Sequence, residues 1–163
     1  MISLFKKKFT IYDFLQQSLQ RVDKVSVQIF CDETLKNTDR NWYPGDGVYY
    51  DEYLKQIAAI SYYLFLYNVS KNINMKDKDW EYFSDNLGKE LIANFDCKKE
   101  YELFDEIYNL SIEEDHHINN YLDCLKENFF EGNLSTKDYA WLGQCFHSYE
   151  EIEKKNLRRC KII

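Results

Sequence analysis

One proline and five glycines are all the punctuation that 163 residues contain. So few turn formers exclude a many-turned β architecture, since hairpins and tight bends draw on both. Paired cysteines are also missing. Cys31, Cys97, Cys124, Cys145 and Cys160 are odd in number, scattered and without a CxxC, which suits reduced thiols in a cytoplasm better than a disulfide framework. Long apolar runs are absent too. The longest, Ile57 to Val69, is 13 residues, against about 20 for a membrane span. The opening MISLFKKKFT has no apolar run after its lysines that would serve as a signal-peptide core. Phosphate-loop, nucleophile-elbow and histidine-rich metal motifs do not occur. Gly45-Asp46-Gly47 is followed by Tyr50 where the third glycine of a dinucleotide motif belongs. No cofactor and no membrane association are expected.

What the chain does have is aromatic and charged. Aromatics make up 17% of it, with 14 Tyr and 11 Phe, and charged residues 30%. The expectation is an all-α, single domain over 1–163 with five or six packed helices. Thr10 and Asp13 form a capping pattern ahead of Ile11, Phe14, Leu15, Leu19 and Val22 on one helical face. KVSVQIF alternates like a strand, but continuation of the helix through it is favoured. The polar stretch 36–47, with the only proline, reads as a loop carrying Trp42 and Tyr43. A helix from about 48 to 70 is apolar nearly all round toward its end, as a central helix covered by others would be. Further helices are expected at about 79–95, 98–109 and 112–131. The last one is capped by Ser135 and Asp138 and faces inward with Tyr139, Leu142, Phe146, Tyr149 and Ile152.

The net charge of −7 is concentrated. Residues 77–131 hold sixteen acidic and five basic residues, while residues 1–40 and 132–163 are each net +2. An acidic block repels nucleic acid and anionic membrane and steers cationic partners. Glu102, Asp105, Glu106 and Glu113 are its candidate contacts, with Trp42 and Tyr43 as aromatic anchors on a loop.

Two chemical readings compete at SIEEDHH (111–117). With 98–131 as one helix, Leu103, Ile107, Leu110, Ile118, Tyr121, Leu125 and Phe129 form an inward stripe. Glu114 then faces the core, and Glu114 with His117 has the Glu-x-x-His spacing of helical di-iron ligands. With a break near Asn109–Ser111, Ser111 and Glu114 form a capping box, and the acids sit at the favourable end of a helix dipole. The capping reading accounts for more of the stretch. At the tail, Cys160-Lys161-Ile162-Ile163 has the outline of a prenyl acceptor, but Lys161 and Ile163 are poor matches. A frayed, basic helix end is the plainer expectation.

The functional expectation is a cytoplasmic, non-catalytic protein-binding protein. An inhibitor or immunity-type partner of a basic, nucleic-acid-acting protein suits it best, with no nucleic acid bound directly. The alternatives are a metal-dependent or acid/base enzyme around Glu114 and His117, and a structural subunit that forms a homo-oligomer.

Overall fold

The structure, a computed structural model, describes residues 6–31, 48–111, 117–129 and 136–163. The backbone forms six helices among these residues: α1 (Ile11–Cys31), α2 (Val48–Asn72), α3 (Asp77–Phe95), α4 (Lys98–Ser111), α5 (His117–Phe129) and α6 (Thr136–Leu157). The expected all-α packing of five or six helices is what is seen. One short pair of strands is added, β1 (Lys7–Phe9) and β2 (Cys160–Ile162).

Centrality follows from α2. Ile57 to Leu66 are all buried, and α2 packs against each of the five other helices. Ala58 and Ala59 keep its surface thin, and the aromatics carry the bulk. Tyr62 and Tyr63 bury their rings and still place their hydroxyls on neighbouring helices, as buried tyrosines require. Tyr62 donates to the Ser84 carbonyl at 3.1 Å, and Tyr63 to the Tyr101 carbonyl at 2.9 Å with Asp105 Oδ1 at 3.3 Å. Burial and the neighbouring Tyr101 push both phenols upward, so they stay un-ionised donors.

The helix ends have local causes. The Asp13 amide donates to Thr10 Oγ1 at 3.1 Å, and the Thr10 hydroxyl to Asp13 Oδ2 at 2.7 Å. The cap read from the sequence is therefore formed, and α1 continues through the alternating segment to Cys31. Asp96 stops α3 in the left-handed region at φ 50°, with its amide on the Ile92 carbonyl. Aspartate is among the few non-glycine residues that tolerate this conformation.

Three expectations are corrected. The stripe through 98–131 assumed one phase, but α4 and α5 are separate helices. Leu110 is 80% exposed, and the buried face of α4 is Glu100, Phe104 and Tyr108, with Leu103 and Ile107 at its flank. On α6 Ile152 is 57% exposed. The inward positions run Leu142, Phe146, Tyr149, Glu150, Glu153 and Leu157. The tail is no frayed helix end either. After Leu157 the chain turns and pairs in parallel with β1, in the register Lys7↔Cys160, Lys8↔Lys161, Phe9↔Ile162.

Candidate functional site

The inward face of α6 carries two carboxylates, and each has its own partner. Glu150 and His117, both nearly fully buried, meet with Nε2 to Oε1 at 2.7 Å. Asn68 on α2 donates from Nδ2 to the same oxygen at 3.2 Å and to the Leu64 carbonyl at 2.8 Å. Tyr67 stacks on the imidazole, ring centroids 4.0 Å apart. The cluster therefore joins α2, α5 and α6 through one oxygen. A buried polar group costs stability unless it is bonded, so this arrangement specifies how the three helices register. Among the described residues, His117 Nδ1 and Asn68 Oδ1 have no hydrogen-bond partner.

The second carboxylate, Glu153, lies 3.5 Å from Arg21 Nη1 on α1, a charge contact rather than an aligned hydrogen bond. Burial raises its pKa against the opposing effects of Arg21 and Asn156. Tyr149 beside it is buried, and among the described residues its hydroxyl has no hydrogen-bond partner.

His117 thus uses Nε2 on Glu150, one of the partners that sequence spacing did not suggest. Glu114 and Glu113 lie outside the described residues, and so do Trp42 and Tyr43. The capping box proposed for Ser111 and Glu114 also lies outside what is described, apart from the Ser111 backbone at the end of α4. Among the described residues, no group of three or more His, Cys, Asp or Glu is placed to hold a metal ion. The signal for Glu150 and Glu153 was present: steps of three and four from Leu142 and Phe146 pass through 149, 150, 153 and 157. Apolar preference diverted the reading to Ile152.

The acidic block becomes a surface. The helices α3, α4 and α5 pack in sequence, each on the next. Glu81, Asp85 and Glu90 on α3, Glu102 and Glu106 on α4, and Asp123 and Glu127 on α5 are all exposed. Asp105 differs from its neighbours. It is half-buried, close to the Tyr63 hydroxyl, and accepts from Asn109 at 3.2 Å. Exposed lysines engage this face loosely, as in Lys98–Glu102 at 3.8 Å.

Opposite charge gathers where the strands pair. Lys6, Lys7 and Lys8 come beside Arg158, Arg159 and Lys161, all exposed, so two weakly basic sequence ends make one basic corner. Cys160 within it is only 5% exposed, and its thiol reaches the Asn156 carbonyl at 3.4 Å. Burial pushes that thiol's pKa up. A residue tied into a strand and covered in this way is a poor acceptor for a lipid.

No family model, curated protein or solved structure matches this chain. Among the described residues no helix is long and apolar enough to cross a membrane.

Proposed function

We propose that this protein is a non-catalytic binding module whose α3–α5 face docks onto a basic protein surface. One observation carries the reading: exposed carboxylates extend across three successive helices, each packed on the next. Such a face presents a continuous negative potential to a partner and repels other polyanions. Its natural counterpart is a protein with a cationic groove, of the kind that holds nucleic acid. Occupying that groove would make the module an inhibitor or an immunity-type protector. The buried His117–Glu150 cluster supports the same reading, because a closed pair that bonds three helices together rigidifies a scaffold rather than meeting a substrate.

The test is affinity capture from the source cell with the wild-type protein and with the Glu102→Lys/Glu106→Lys variant. Both positions are exposed, so the variant keeps its fold. The expected result is a basic protein retained by the wild type and lost by the variant. Equal retention by both would remove the acidic face from the interaction.

A further inference from the structure

An open groove of about 510 Å³ runs between α1 and α6, and none of its lining residues belongs to α3–α5. Arg21, Lys24, Val25, Gln28 and Ile29 form one wall, and Trp141, Cys145, Tyr149 and Ile152 are prominent in the other. Arg21 sits opposite Glu153, so the two ends of the groove differ in chemistry. At the Arg21 end stand two cations, Arg21 and Lys24, against one carboxylate, Glu153. Among the described residues Lys24 makes no ion pair, which leaves this end one positive charge in excess. At the other end, eight residues and about 12 Å further along α1, the lining is Ile29, Trp141 and Cys145 together with the uncharged Gln28 and Gln144. Between them the 57% exposed Ile152 and the half-buried Val25 continue the apolar strip. The volume lies in the range of small-molecule sites, which are mostly apolar with a few convergent polar groups.

The incomplete bonding at the charged end points the same way. Tyr149 and Glu153 are both at least nine-tenths buried, yet among the described residues the hydroxyl and Oε2 have no hydrogen-bond partner. Native interiors leave few such groups, and each calls for an explanation. Tyr149 lines the groove, and its hydroxyl can donate to an anionic head, while Glu153 keeps its charge contact with Arg21.

We propose that this groove binds a small amphipathic anion, one negatively charged head on an apolar chain, with the head at Arg21 and Lys24 and the chain along Ile152 toward Ile29 and Trp141. The excess positive charge selects an anion, and its confinement to one end of the groove sets the orientation. A cation of the same chain length meets the wrong charge. A nonpolar molecule of that size leaves the charged end unmatched.

The test uses the full chain and anilinonaphthalene sulfonate, an aromatic monoanion that fluoresces when bound to apolar surface. Decanoate should displace it with one-to-one stoichiometry, and decylammonium at the same concentration should not. Shortening decanoate to octanoate should weaken displacement about fifteenfold, since each of the two buried methylenes contributes about 0.8 kcal/mol. Lys24→Glu should weaken decanoate about fivefold or more, and Ile152→Glu should abolish binding. Both side chains are exposed, so melting curves of the variants should match the wild type. Equal displacement by decanoate and decylammonium, binding that survives Ile152→Glu, or no binding of either probe would overturn the proposal. Since α1 and α6 form the groove, its failure leaves the α3–α5 reading untouched.

Discussion

Replacing Glu150 with alanine removes one oxygen on which two helices depend. In the native protein Oε1 takes His117 Nε2 at 2.7 Å and Asn68 Nδ2 at 3.2 Å, with the His117 and Glu150 side chains 7% and 4% exposed. Water reaches neither group, so nothing replaces the lost acceptor. Asn68 keeps its bond to the Leu64 carbonyl, but the imidazole is left buried with no partner on either nitrogen. Loss of the carboxylate strands a buried imidazole nitrogen and leaves a cavity in its place, together costing about 3–5 kcal/mol. For a domain of this size each kcal/mol lowers the melting temperature by about 2–4 °C, so Glu150→Ala should melt about 6–20 °C lower. Glu150→Gln preserves an acceptor for the imidazole and should cost only about 1–2 kcal/mol. The neighbouring Glu151→Ala, on the exposed side of the same helix, should leave melting unchanged. A double-mutant cycle with His117→Leu should show strong coupling. Circular dichroism melts of these variants are sufficient. If Glu150→Ala melts like Glu151→Ala, the cluster does not bind the helices together and the rigid-scaffold argument fails.

Other outcomes follow from single positions. Gly88→Ala would place a methyl 2.8 Å from the Tyr101 hydroxyl and 3.0 Å from that of Tyr62. It should destabilise by about 1–3 kcal/mol, although alanine in an open helix interior would stabilise; urea titration gives the sign. Thr10→Ala should cost about 0.5–2 kcal/mol through loss of the α1 cap, read by the same titration. Burial raises Glu153 above its ordinary value of 4.5, so its contribution to stability is full below that value and is lost as pH rises through the folded pKa. Glu153→Gln should therefore melt progressively higher than wild type from pH 4 toward pH 7; a difference that shrinks with rising pH would reverse the assignment. Native alkylation followed by mass spectrometry should leave Cys160 unmodified until the protein is unfolded.

Much of the architecture could be read from pattern because the signals are local. The uniformly apolar Ile57–Leu66 had to lie inside, and Thr10 with Asp13 had to open a helix. The polar interior was hidden for a different reason. Glu150, Glu153 and Asn68 are acceptable inside only because His117, Arg21 and one another stand across the packing, and such partners are set by tertiary geometry. Helical spacing from Leu142 and Phe146 passes through 150 and 153, but hydrophobicity favours Ile152. The basic corner was hidden because its halves lie at opposite ends of the chain, and three-residue strands are too short to show alternation. Asp105 resembled its neighbours until the Tyr63 hydroxyl was placed beside it. Charge reversal there should cost stability, whereas Glu102→Lys and Glu106→Lys should not.

The acidic face of α3–α5 is most directly tested by the rate at which the captured partner associates as salt is raised. Charges farther apart than about 8–10 Å are screened at physiological ionic strength, so attraction across this face should accelerate encounter at low salt and fade above it. The account predicts an association rate that falls steeply with salt, and a flatter, slower dependence for Glu102→Lys/Glu106→Lys with dissociation much less affected. A rate indifferent to salt, or identical in the two proteins, would contradict it.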